Sequence, residues 1–386
     1  MKRKRYIVYL TGFLFSLPVA LTSYINSSLL ESFTNPTKVS LIYITASMLV
    51  VFGLLQMPKV LAKIGNYKTT LLLSTLGLIS LLLLAFSKNS TTVVVSFIIY
   101  FISVNFITTT LDIFIEDFTI GPRVGRARGI YLTVINSAWV IAQLISGSII
   151  AKSSFKGIYL ISALFMFLVG IILVFFFQKF QDPEYKKIAA IKTLKFFIRN
   201  KNISKIYLIN LILKFFFAWM IIYTPIYLHN YMGFDWQSIG IIFTIMLLPF
   251  ILLDFPLGKL SDSIGEKKML FIAFLISAIS TIVIPFILEA NLYLWAFILF
   301  MTRVGAATIE VMSDSYFFRI VDEKHTDEIA FFRNTTAISY IIAPLLAIGI
   351  LTFTPSFKFI FFIVSAVLLT GAYLALRLKN EKNFTT

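Results

Sequence analysis

The chain has 386 residues, 59% of them hydrophobic and only 13% charged, with a mean hydropathy of +0.90. No soluble domain of ordinary composition hides so much apolar surface, so a lipid bilayer is the expected solvent for most of the length. The formal net charge of +16 calls for an anionic partner, either nucleic acid or a membrane surface, while the absence of cysteine excludes disulfides, thiolate metal sites and thiol redox chemistry.

Apolar runs of about 18 to 25 residues, the length that crosses a roughly 30 Å hydrocarbon core, recur twelve times. The first, 6–28, follows the basic opening "MKRKRY" and imitates a secretory leader, but no A-x-A-like cleavage site follows and eleven further runs do, so it is expected to be a membrane helix. Spans 38–60, 69–87, 92–117, 129–151 and 157–178 complete a first set of six. The segment "QDPEYKKIAAIKTLKFFIRNKNISK", 181–205, then carries seven basic and two acidic residues. Its "IAAIKTLKFFI" core predicts a short amphipathic helix lying on an anionic membrane surface. Spans 204–229, 237–258, 269–288, 291–318, 329–353 and 358–377 form the second set. No alternating ten-residue pattern with a polar lumen face occurs, so helices rather than a barrel satisfy the backbone. The expected fold is an all-α polytopic membrane protein with a six-helix bundle at 1–180, a basic linker at 181–203 and a second six-helix bundle at 204–386.

Lys and Arg fix the expected orientation. With the amino terminus cytoplasmic, 26 of the 34 fall in cytoplasmic segments, five outside (Lys38, Lys88, Lys152, Lys156, Lys358) and three within spans. Both termini are therefore expected in the cytoplasm of a plasma (inner) membrane protein. The same distribution explains the net charge through an anionic leaflet and leaves no role for nucleic acid. His229 and His325, the only histidines, are about a hundred residues apart and expected on opposite sides, which excludes a metal cluster. No Gly-rich phosphate loop and no G-x-S-x-G elbow is present, so neither an enzyme nor an ATP-driven pump is expected, and no cofactor.

Two pairs of segments repeat at an offset of about 200 residues. "PKVLAKIGNYK", 58–68, aligns with "GKLSDSIGEKK", 258–268, matching Lys59, Ile64, Gly65 and Lys68 to Lys259, Ile264, Gly265 and Lys268, whereas Asp262 faces Ala62. "TLDIFIEDF" and "TIEVMSDSY" each place acids four residues apart, Asp112 with Glu116 and Glu310 with Asp314, at an offset of 198. Twelve spans, a basic central loop and G-x-L-x-D-x-x-G-x-K-K together resemble the major facilitator superfamily. The match is specific at Gly258, Leu260, Asp262, Gly265, Lys267 and Lys268, and the first-half copy departs from it at Ala62 and Pro58. The resemblance implies two pseudo-symmetric bundles that rock about a central site by alternating access. In that architecture Asp262 is expected to latch the cytoplasmic face, accepting hydrogen bonds from the amides at the start of span five, with Arg126 and Arg128 as partners.

An ionised side chain in the bilayer core costs about 2.5 to 3.5 kcal/mol on the mildest scale, so each needs a partner or a wet cavity. Lys214, about 15 Å into span seven at 1.5 Å per residue, and Arg303 at a similar level in span ten are expected to meet an anionic solute. Asn105 matches Arg303 under the repeat and is a third candidate contact. Arg303 and Glu310 share a helix face, and Arg333 is placed to bridge Glu310 or Asp314 as a gate network. Asp112 and Glu310 are the proton-coupling candidates. Gln143 and Asn136 are read as amides that glue helices. The expected function is a monomeric secondary active transporter of a small solute, proton-coupled, with an organic anion as the candidate cargo. The residues leave open two alternatives: an efflux antiporter for amphiphilic drugs, and a transporter-fold sensor that no longer transports.

Overall fold

A computed structural model of the chain describes residues 2–117, 124–183, 185, 190–253, 256–257, 260, 264–321, 326–354 and 356–379. Among these, every regular element is helical. Ten helices are long and apolar enough to cross a membrane, and Trp236–Leu252 is a shorter apolar one. One of the ten, Thr133–Phe176, runs for 44 residues across a sharp kink at Ser154, whose φ of 55° makes it the only non-glycine residue at positive φ among those described. The kink divides this helix into the fifth and sixth expected spans, so twelve crossings result. The chain folds into two compact units, one comprising Met1–Lys187 with Asp235–Ile241 and the other Ile188–Phe234 with Ile242–Thr386.

Unit 1 is built from α1 (Lys2–Ser23), α2 (Asn26–Phe33), α3 (Pro36–Ile64), α4 (Asn66–Phe86), α5 (Ser90–Asp117) and α6 (Val124–Phe176). Polar side chains cross-link its spans where lipid offers no alternative partner. The Pro18 carbonyl inside α1 accepts from Tyr100 Oη at 3.1 Å and from Thr22 Oγ1 at 2.9 Å. Gln143 Nε2 on α6 donates to the Ala20 carbonyl at 2.7 Å, the helix-joining role expected of it, and Tyr159 Oη donates to Asn26 Oδ1 at 2.8 Å. Gly147 lets the backbone of Trp236–Gln237 approach so closely that an added Cβ would sit 2.5 Å from the Trp236 carbonyl oxygen.

Unit 2 opens with α7 (Ala190–Arg199), the amphipathic helix expected after the first bundle. Phe197 turns inward onto Tyr207 and Phe331, at ring separations of 5.4 and 4.8 Å. The next helix, α8 (Lys201–Ile222), is capped by Asn200 Oδ1, which accepts from the amides of Asn202 and Ile203. Past Ile222 the chain continues as a short turn around Pro225 and a π-helical segment, Tyr227–Tyr231. There follow α9 (Trp236–Leu247), which begins in unit 1 and ends in unit 2, then α10 (Glu266–Val283), α11 (Leu292–Ile320), α12 (Thr326–Arg333), α13 (Thr335–Phe353) and α14 (Phe359–Leu376). The eighth span departs from its expected uninterrupted course at Leu248, because Pro249 cannot donate to the preceding turn.

The repeat read from the sequence has a backbone counterpart. Gly65 stands before α4 at φ 87°, ψ 155°, and Gly265 before α10 at φ 85°, ψ 141°. Both values lie where a Cβ is costly, which accounts for glycine at both places.

Candidate functional site

Packing α8 against α11 brings together the charges of the second unit. Lys214 Nζ on α8 lies 2.5 Å from Glu310 Oε1 on α11, with the two side chains 21% and 34% exposed. Arg303, two turns earlier on the same face of α11, is 1% exposed. Its guanidinium carbon stands 5.0 Å from the ring centre of Phe216 and 5.4 Å from that of Phe217, while Lys214 Nζ stands 5.1 Å from the Phe217 ring centre. Phe217 is thus flanked by two cations, and Phe250 meets the ring at 5.8 Å in a T-shaped contact.

Among the described residues, the buried Arg303 Nε and Nη1 have no hydrogen-bond partner. Aromatic faces offset only part of the cost of holding this charge, on the order of 0.5 to 2 kcal/mol each. An acceptor-rich, negatively charged group is the complement that would satisfy the remainder. Taken together, Lys214, Arg303 and Glu310 carry two positive charges and one negative.

Lys214, expected with Arg303 to meet an anionic solute, is in this structure paired with Glu310. Sequence spacing placed Glu310 on the Arg303 face of its own helix but could not show that a residue 96 positions earlier would reach it. Asn105 on α5 spends an amide hydrogen on the Phe101 carbonyl at 2.8 Å, four residues back in its own helix. Asp112 lies half-buried on α5, and Asp314 and Arg333 are exposed on α11 and α12. In the signature loop, Leu260 is exposed, Lys267 half-buried and Lys268 exposed. Gly258, Asp262 and the side chains of Arg126 and Arg128 lie outside the described residues.

Two acidic residues escaped the sequence reading. Glu266, the first residue of α10, is 0% exposed and pairs with Arg319 at 2.8 Å, while Ser315 Oγ donates to it at 2.9 Å. An acid at the first position of a helix after a glycine turn was the available signal. In unit 1, Asp182 Oδ1 accepts from the Asn66 amide at 2.7 Å and from Tyr185 Oη at 2.6 Å.

Twelve crossings, two compact units and membrane-depth charges define a polytopic solute carrier. The chain belongs to the Major Facilitator Superfamily, whose family model matches residues 8–241 and 225–385. Among solved structures it is similar to the nucleoside transporter NupG, with a TM-score of 0.78 and 10% identity over 97% of this chain and 98% of that one. It is also similar to a bacterial homologue of the human lysosomal transporter Spinster in an inward-facing, unoccupied conformation, with a TM-score of 0.75 and 12% identity over 98% of this chain and 96% of that one. Comparison with curated protein sequences gives no match. At these identities the likeness is one of fold. Family and fold make the chain an integral membrane transporter of a small solute.

Proposed function

We propose that this protein is a secondary active transporter that works by alternating access and carries a small organic anion together with protons. The observation that carries the reading is Arg303, a buried guanidinium whose Nε and Nη1 find no acceptor among the described residues, sharing the Phe217 ring with the Lys214–Glu310 pair. While Glu310 is ionised, the cluster holds one net positive charge. Protonation of Glu310 releases Lys214 and raises the net charge to two. At an effective dielectric near 20, one extra unit charge about 5 Å away is worth about 3 kcal/mol, enough to change anion affinity by about two orders of magnitude. Thermodynamic linkage requires the anion to raise proton affinity by the same factor, which is the condition for coupled movement. Asp112, half-buried on α5, is proposed as the proton carrier of unit 1.

The test is proton flux in proteoliposomes containing the full chain, screened against organic anions, sugars, lipophilic cations and nucleosides, the last because one structural neighbour is a nucleoside transporter. Anion-driven proton uptake is expected, falling below about a tenth of the wild-type rate in Arg303→Ala and in Lys214→Ala. Glu310→Gln is expected to retain anion exchange and lose proton movement. Cation or nucleoside flux indifferent to all three substitutions would overturn the anion reading, and silence across every pool would favour a sensor.

A further inference from the structure

A second charged feature of unit 2 lies away from Lys214 and Arg303, where α7 meets the first turn of α8 and the segment following α14. A cleft of about 730 Å³ there is lined by Lys195, Phe196, Arg199, Asn200, Lys201, Asn202, Lys205 and Lys379. Five of the eight are basic and none is acidic. Lys205 Nζ donates to the Arg377 carbonyl at 2.5 Å, which fixes it beside the end of α14, and the charges of Arg377, Lys201, Lys267 and Lys379 all bear on it. Converging like charges repel one another unless an anion sits among them. The cleft also contains the amino-terminal turn of α8, whose dipole adds to the positive potential.

The surroundings select among anions. Beside the cleft, α7 buries Phe197 but leaves Leu194 and Ile198, one turn apart on the same face, exposed at 46% and 68%. This apolar pair flanks the Lys195 and Arg199 side of the helix where α8 begins and α14 ends, and matches a molecule with a phosphate head and hydrocarbon tails. In the orientation expected from the Lys and Arg distribution, this end of the unit faces the anionic leaflet.

We infer that this cleft is a binding site for the headgroup of an anionic phospholipid, with the phosphodiester held by Lys195, Arg199, Lys201 and Lys205 and an acyl chain laid along Leu194 and Ile198. The site needs no assumption about the transported solute. Occupied by lipid, it ties α7 to the beginning of α8 and the end of α14 through one shared counter-charge.

The test uses the purified full chain in a neutral detergent, with binding of dioleoyl phosphatidylglycerol followed by native mass spectrometry and phosphatidylcholine as the uncharged-headgroup reference. The triple variant Lys195→Gln, Arg199→Gln, Lys201→Gln alters only exposed side chains and is expected to fold, verified by an unchanged thermal midpoint. It should bind phosphatidylglycerol about tenfold more weakly than wild type. A matched triple in unit 1, Lys59→Gln, Lys63→Gln, Lys68→Gln, also on exposed lysines, should stay within about twofold. Equal losses in the two triples would reduce the effect to general surface charge and overturn the site. Glycerol phosphate, which carries the headgroup without chains, is expected to bind far more weakly than the lipid; equal affinity would reassign the cleft to a soluble phosphate compound.

Discussion

In unit 1 the glycine turn before α4 is closed from a distance: Asp182, over a hundred residues further along the chain, accepts the first amide of the helix and Tyr185 steadies it. In unit 2 the helix after the equivalent turn begins with an acid of its own, Glu266, which is held by Arg319 and Ser315 of α11. The backbone is the same in both, since Gly65 and Gly265 adopt nearly equal angles. What differs is the acid described at each helix start, supplied from far along the chain in one case and by the helix's own first residue in the other. A helix start with free amides and a positive dipole stabilises a carboxylate wherever the chain supplies one. Loss of the loop acid at Ala62 therefore does not leave the first-half turn without a negative partner. The two solutions differ in depth, because Asp182 is exposed while Glu266 is fully enclosed.

That difference in depth orders the consequences of breaking each turn. Arg319→Ala removes the paired cation from a buried carboxylate, and should destabilise the protein by about 3 kcal/mol, read as a drop in the thermal midpoint in detergent. Next comes Gly65→Ala, which forces a Cβ into a positive-φ position 2.6 Å from Asp182 Oδ2, for about 2 kcal/mol. Adding Asp182→Ala to Gly65→Ala should recover at least about 0.5 kcal/mol of that loss, because the two effects share one contact. Smallest is Asp182→Ala alone, about 1 kcal/mol for an exposed cap. Should Asp182→Ala prove as damaging as Arg319→Ala, the contrast between exposed cap and buried pair is wrong.

The crossings were legible because a hydrocarbon core demands long apolar runs, and nothing else in such a chain competes with that pattern. Charged turns separated them, and the Lys-rich segment 152–156 marked the bend at Ser154 even though helix continues on both sides of it. The repeat was legible through Gly65 and Gly265, where backbone geometry restricts the residue. Pairings between distant helices were not. Lys214 with Glu310, and Asp182 with the turn at Gly65, depend on how each helix is rotated about its axis, and in bilayer-spanning sequences apolar residues surround the whole helix rather than marking one face. The role of Phe217 was hidden for the same reason: among 41 phenylalanines nothing distinguishes the one that two cations share.

The unequal enclosure of those two cations separates them by ionic strength. Mobile ions shorten the reach of exposed charges from about 8 Å at 0.15 M to about 3 Å at 1 M, and scarcely penetrate a buried site. Lys214 and Glu310, each partly exposed, lie within reach of dissolved ions, whereas Arg303 at 1% exposure does not. Under the proposed roles of Lys214, Glu310 and Arg303, concentrated salt should accordingly loosen the link between proton and solute before it weakens the hold on the solute itself.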